Sequence, residues 1–143
     1  MEKLTQYVNP NIGTIGHLLT ATSPTVMYPH GFMQISPNFN VGGDRYLADK
    51  IKSFPVGPVE IMASKGDAPM ESYFDHDLEI AQPHAYSVYL ETSKIQATYA
   101  VTEHAVIFEF DFFEESATCE NHVNIRGNFA GSYFNINAYT VMD

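Results

Sequence analysis

An all-β fold, an antiparallel β-sandwich, is what this sequence predicts, and three observations predict it. Apolar and polar residues alternate with period two through residues 86–91, 95–101, 105–113 and 132–141, as in strands with one buried face. Turn signals built on glycine, proline and asparagine recur along the chain. No stretch carries the 3.6-residue periodicity of a long helix. At 143 residues the chain is the size of one domain and is able to bury roughly 68–70% of its unfolded surface.

Taken in order, the first strand is expected at residues 32–36, fixed between Gly31 and Pro37. Asn38-Phe39-Asn40-Val41-Gly42-Gly43 reads as a turn, because glycine and asparagine supply positive φ at little cost. Residues 44–51 read as a turn capped by Asp44. Phe54-Pro55-Val56-Gly57-Pro58 reads as an interruption, residues 59–63 as the second strand, and residues 64–84 as a polar connection.

The second half changes character. Tyr86, Val88 and Leu90 share one face of a strand, and Ile95, Ala97, Tyr99 and Val101 share one face of the next, with Thr92-Ser93 as a two-residue link. Val106, Phe108, Phe110 and Phe112 face one side of the strongest strand, and Ile107, Glu109, Asp111 and Phe113 the other. Treated as a central strand, full burial of that first face is worth about 6–12 kcal/mol before entropy. Glu114-Glu115-Ser116 ends the strand by charge, and residues 122–126 and 132–141 are the last two strands, separated by Gly127-Asn128-Phe129-Ala130-Gly131.

Composition narrows the function classes. A net charge of -10 with seven Lys and Arg disfavours nucleic acid and anionic membranes as partners. A single cysteine, Cys119, excludes an intrachain disulfide framework and a cysteine-based zinc site, and reads as a small packed side chain. No segment is long and apolar enough to span a bilayer, and Met1-Glu2-Lys3-Leu4 opens no signal sequence.

Residues 7–37 are the most informative stretch. They hold Tyr7-Val8-Asn9-Pro10-Asn11-Ile12-Gly13-Thr14-Ile15-Gly16-His17 and later Tyr28-Pro29-His30-Gly31-Phe32-Met33-Gln34-Ile35-Ser36-Pro37, without one charged side chain. Glycines and prolines make most of it loop, and its apolar residues make that loop ordered. Such a loop lets backbone approach a ligand closely, and His17 and His30 are its only side chains that titrate near neutral pH.

These residues carry a resemblance. Residues 7–14 are similar to the Tyr-Val-Asn-Pro-x-Ile-Gly-Thr opening of family 92 glycoside hydrolases, the calcium-dependent exo-acting alpha-mannosidases. Pro29-His30-Gly31-Phe32-Met33-Gln34-Ile35-Ser36-Pro37, Asp44-Arg45-Tyr46-Leu47-Ala48-Asp49-Lys50-Ile51, Ser72-Tyr73-Phe74-Asp75-His76-Asp77 and Tyr86-Ser87-Val88-Tyr89-Leu90 resemble further segments in the same order. The chain departs from the family at Asn11, where many members carry phenylalanine, and at Ile15, where they carry glycine.

The resemblance implies that residues 1–143 are a partial N-terminal domain, a supersandwich-like fold lacking some of its strands. It implies a non-catalytic portion of an N-glycan-degrading alpha-mannosidase, periplasmic or secreted, that packs on a helical toroid domain absent from this chain and lends loops to the mannose pocket. Catalytic carboxylates and calcium belong to that other domain, so no catalytic residue, metal ligand or cofactor is assigned here. The substrate-binding residues it points to are Gly16, His17, His30, Asp44, Arg45 and Tyr46. Mannosides and the missing domain are the partners; exposed apolar side chains at Ile15, Leu18, Leu19 and Met27 would offer a surface for that domain or for self-association. The other reading is a free-standing carbohydrate-binding or interaction module.

Two local groups have a plainer reading. Asp75-His76-Asp77 resembles a metal motif, but neighbouring residues rarely converge on one ion, so it is read as structural. His104 and His122 are read as ordinary residues at strand starts.

Overall fold

The computed structural model describes residues 4–15, 21–40, 47–113, 120–129 and 132–139. After a short 3-10 turn at Leu4–Tyr7, the chain forms β1 (Val26–Met27), β2 (Gln34–Ile35), β3 (Asn38–Phe39), β4 (Lys50–Val56), β5 (Val59–Lys65) and β6 (Ser72–Tyr73). A second 3-10 turn at His76–Leu78 leads to β7 (Ile80–Ala81), β8 (Ala85–Leu90), β9 (Ile95–Val101), β10 (Val106–Phe112), β11 (Asn121–Phe129) and β12 (Ser132–Tyr139). β1 and β2 pair with each other; a four-stranded sheet runs β10-β9-β8-β7; a six-stranded sheet runs β12-β11-β5-β4-β3, with β6 also on β4. All pairings are antiparallel, so the predicted fold class is the one observed.

The alternation in β8 and β9 is the reason these strands form. Tyr86, Val88 and Leu90 are buried on β8, and Ile95, Ala97, Tyr99 and Val101 on β9, while the residues between them are half-buried. The two sheets meet through aromatic rings. Phe54 of β4 meets the Tyr99 ring of β9 edge-on at 5.6 Å and the Phe108 ring of β10 at 6.1 Å. Tyr99 in turn stacks on Tyr86 at 5.3 Å.

Several expectations need correction. Phe54-Pro55-Val56 does not interrupt a strand; it completes β4, and Gly57-Pro58 is the two-residue hairpin turn to β5, with Gly57 at φ +59. Positive φ followed by proline's fixed negative φ is the combination a type II′ turn needs. Val56 and Val59 close that hairpin as a hydrogen-bonded pair, so at the Pro55–Glu60 position the strand's donors point away from β5. On that side β3 reaches only to Ser53, and the N–H that proline lacks has no strand to serve.

The link from β8 to β9 is four residues, 91–94, rather than two, since Leu90 pairs with Ile95 and Lys94 takes φ 54. β11 extends through Gly127 to Phe129, which pairs with Ser132. Finally, β10 ends the order of its sheet, so Val106, Phe108, Phe110 and Phe112 are only half-buried and contribute less than the full-burial figure. Smaller strands interrupt the expected turn at residues 38–43 and the polar connection at 64–84. The ends of that turn, the Asp44 cap and Glu114-Glu115-Ser116 lie outside the described residues.

Phe54→Ala should cost about 3–5 kcal/mol in urea unfolding, because it removes the ring that joins the sheets and leaves a cavity. A pH test isolates Tyr99. Burial pushes its phenol above the ordinary range. Below about pH 10 both folded and unfolded chains keep the proton; above it the unfolded chain releases it first, so stability falls by about 1.4 kcal/mol per pH unit. Tyr99→Phe removes this term, and unfolding curves at pH 9 and pH 11 should show wild type losing its advantage over the variant by about that amount.

Candidate functional site

The loop between β1 and β2 is pinned at its base and strained at its tip. Val26 pairs with Ile35 and Met27 with Gln34, and both Val26 and Ile35 are fully buried. At the tip the Gly31 N–H donates to the Tyr28 carbonyl (2.8 Å), closing a turn with Pro29 and His30 in the middle. His30 has φ 61 and is exposed. Proline at the first central position and positive φ at the second define a type II turn, in which glycine is the usual occupant of the place His30 takes. A left-handed histidine costs roughly 1–2 kcal/mol, and such outliers concentrate where function holds them.

This loop is docked on one end of the four-stranded sheet. The Phe32 N–H donates to the Glu103 carbonyl (2.9 Å), and the Met27 N–H to the Pro83 carbonyl (3.2 Å). Residues 82–84 join β7 to β8 and residues 102–105 join β9 to β10, and both turns lie at the same end. Gly31 lets the loop pack closely: a Cβ there would lie a tight 3.1 Å from the Glu103 Cα and from Tyr28. Phe32, 85% exposed, stacks its ring on His104 at 5.7 Å. His104 thus sits in the turn before β10 rather than at a strand start, and no periodic signal in the sequence marks its contact with Phe32.

The motif at residues 7–14 borders the same end. It is a run of turns: Asn9 Oδ1 accepts from the Asn11 N–H (2.9 Å), the Thr14 hydroxyl donates to the Asn11 carbonyl (2.8 Å), and the Thr22 N–H donates to the Gly13 carbonyl (2.9 Å). Gly13 takes φ +86, and a Cβ there would meet Thr22 Oγ1 at 3.0 Å. Thr14 is buried. Between this run and the 82–84 turn lies an open groove of about 530 Å³ whose lining includes Gln6, Val8, Asn9, Ile80, Gln82 and His84. Amide, hydroxyl, imidazole and aliphatic groups line it, and among the described residues no carboxylate, Lys or Arg does. That mixture suits a neutral polyhydroxylated ligand, which offers hydroxyls to amides and C–H faces to apolar side chains.

A second groove, on the six-stranded sheet, is charged instead, with Lys52, Glu60, Glu71 and Arg126 around Asn38. Two of its carboxylates are engaged: Asn38 Nδ2 donates to Glu60 Oε1 (3.4 Å), and Lys50 Nζ lies 2.7 Å from Glu71 Oε1 and 4.6 Å from the centre of the Tyr73 ring. The Glu71 hydrogen bond raises Lys50 above its usual range. Asp49, next to Lys50, accepts from Asn40 Nδ2 at 2.6 Å.

Asp75 caps the 3-10 turn through the Asp77 N–H (2.8 Å), and His76 Nε2 lies 2.7 Å from the Ala48 carbonyl with its ring edge-on to Phe74. Among the described residues no three His, Cys, Asp or Glu side chains gather as a metal site. Of the six sequence-predicted binding residues, only His30 is described; Gly16, His17, Asp44, Arg45 and Tyr46 lie outside the described residues, as do Leu18 and Leu19. Ile15 and Met27 are exposed.

Residues 7–138 match the glycosyl hydrolase family 92 N-terminal domain. The chain belongs to this family. A family GH92 alpha-mannosidase from Bacteroides thetaiotaomicron, solved in complex with mannoimidazole, shares the fold at TM-score 0.76 and 24% identity, covering 89% of this chain and 20% of that one. A second structure of the same enzyme gives TM-score 0.74 at 24% identity over 90% of this chain and 20% of that chain. A further GH92 family glycosyl hydrolase gives 0.64 at 18% identity over 92% and 25%. At these identities the likeness is one of fold. This family 92 domain spans about a fifth to a quarter of the length of those solved relatives. No curated protein matches the sequence. Among the described residues no helix is long and apolar enough to cross a membrane.

Gly31→Ala should destabilise the family 92 domain by about 1–3 kcal/mol through the clash with Glu103 backbone. Proteolysis should then cut first within residues 28–33, a site that wild type protects by docking.

Proposed function

We propose that this chain is the non-catalytic N-terminal portion of a family 92 alpha-mannosidase, packing on the catalytic domain and lending the loop at residues 28–33 and the motif at residues 7–14 to the mannose pocket. One observation carries the reading: a strained, exposed His30 is held in a docked loop at the sheet end where the uncharged groove also opens. Loops at strand ends move toward a partner domain without disturbing a core. The relative solved with mannoimidazole makes a mannose-like ligand the natural candidate.

Each residue's part follows from its chemistry. The His30 imidazole offers a ring nitrogen to a sugar hydroxyl, and Phe32 with His104 offers a flat surface to a pyranose face. Gly16, His17, Asp44, Arg45 and Tyr46 complete the proposed set, with Tyr46 as a second stacking surface. Glycoside hydrolysis needs two carboxyl groups across the scissile bond, and these come from the partner domain, as does calcium. The whole enzyme acts in the periplasm or outside the cell, on N-glycan mannosides.

In the intact enzyme, His30→Gly should fold at least as well as wild type, since glycine relieves the left-handed strain. It should raise KM for an aryl alpha-mannoside by roughly tenfold, the loss of one hydrogen bond to a buried ligand. An unchanged KM would remove His30 from the pocket. The isolated chain should show no turnover, and mannose binding by it alone would favour the free-standing module instead.

A further inference from the structure

The open edge of the four-stranded sheet has a definite polarity. The Thr102 N–H donates to the Ala105 carbonyl (2.8 Å), so these two residues form a hydrogen-bonded pair at the mouth of the β9–β10 hairpin. In an antiparallel ladder such pairs alternate with non-bonded ones. Along the register, Ala100–Ile107, Thr98–Glu109 and Gln96–Asp111 are therefore the bonded pairs, and the Phe113 N–H donating to Lys94 (3.4 Å) continues the series. The backbone groups of Val106, Phe108, Phe110 and Phe112 point the other way, toward the side of β10 on which the sheet order ends.

The side chains of the same four residues are half-buried, and Phe108 and Phe110 stack at 5.9 Å with ring planes 9° apart. Seven residues of regular strand without proline or bulge make an edge that proteins ordinarily cover. On the opposite face Glu109 and Asp111 are exposed, with Ile107 72% exposed beside them. Residues of an added strand that lie across from these three would occupy the non-bonded positions, where side chains approach most closely.

We propose that this edge receives one extended strand from the remainder of the family 92 polypeptide, with apolar residues paired with Phe108 and Phe110 and basic residues across from Glu109 and Asp111. Main-chain hydrogen bonds to the four outward-pointing residues give the affinity, and the alternating side chains give the register. A second copy of this chain fits poorly. In the fully overlapped antiparallel register Glu109 would face Glu109, and each chain carries a net charge of -10. The solved relatives are long enough to supply the strand, since matched residues cover only 20% of the mannosidase chain. The inference rests on reading this chain as one part of a longer glycosidase, and is independent of which residues touch mannose.

The test uses the 143-residue chain and a labelled peptide, acetyl-Lys-Val-Lys-Val-Lys-Val-Lys-amide. The peptide should bind saturably and slow amide exchange at Val106, Phe108, Phe110 and Phe112. N-methylation of its valines removes the pairing N–H groups and should weaken binding by roughly tenfold or more, whereas N-methylation of its lysines should not. Glu109→Lys combined with Asp111→Lys should weaken it similarly, and the methylation comparison stands without any variant. Equal binding of the valine-methylated peptide, or unchanged exchange at those four amides, overturns the proposal. So does a dimer in sedimentation whose four amides are already protected, which would make the occupant a second copy. In the intact enzyme the four amides should be protected without peptide and the peptide should not bind; binding there as tight as to the 143-residue chain would show the edge left open and overturn the assignment. Failure here leaves the His30 test of the mannose pocket unaffected, and the reverse holds.

Discussion

Tyr99 is the residue on which the two sheets and the loop between β1 and β2 all depend. Its ring lies against Phe54 of the opposite sheet and between Tyr86 and Phe108 of its own. Its hydroxyl reaches toward the Ile35 carbonyl at 3.5 Å, at the long limit of a hydrogen bond, so most of its hold on β2 is packing. Aromatic rings at offset and edge-on angles interlock more specifically than aliphatic chains, and a shift of one moves its neighbours. The loop carrying His30 starts and ends in β1 and β2, so its position relative to residues 82–84 and 102–105 is inherited from this cluster.

How much of this was legible in the sequence depended on whether a strand had one wet face. β8, β9 and β10 did, and period two located them within a residue or two. β4 did not. Its Ile51, Ser53 and Phe54 are all buried, its pairing with β3 shifts register, and Pro55 argued against a strand to anyone unaware that its missing N–H had nothing to face. The two-residue strands β1, β3, β6 and β7 are created by tertiary pairing and leave no periodic trace.

The site was legible in kind and only partly in detail. Glycines, prolines and apolar residues pointed to an ordered loop that holds His30, while the tight turn at Pro29-His30 was not among the expectations. The docking of that turn on Glu103, the Phe32–His104 stack and the groove beside Gln82 and His84 join segments far apart in the chain. No local pattern encodes such contacts; they follow from the sheet order that brings two turns to one end.

Among the described residues, carboxylates occupy several distinct settings. Glu79 is buried, yet it accepts the Tyr86 hydroxyl at 2.5 Å and belongs to the packing beneath β8. Glu60 and Glu71 sit on the six-stranded sheet among Asn38 and Lys50, and Glu109 and Asp111 face solvent on β10. Among the described residues, none that lines the groove bordered by residues 7–14 and 82–84 is a carboxylate. Such a lining is suited to hydroxyls and apolar faces. Glu103, exposed at the same sheet end, holds its Oε1 3.7 Å from His104 Nε2, next to the loop that carries His30 and the exposed Phe32 ring.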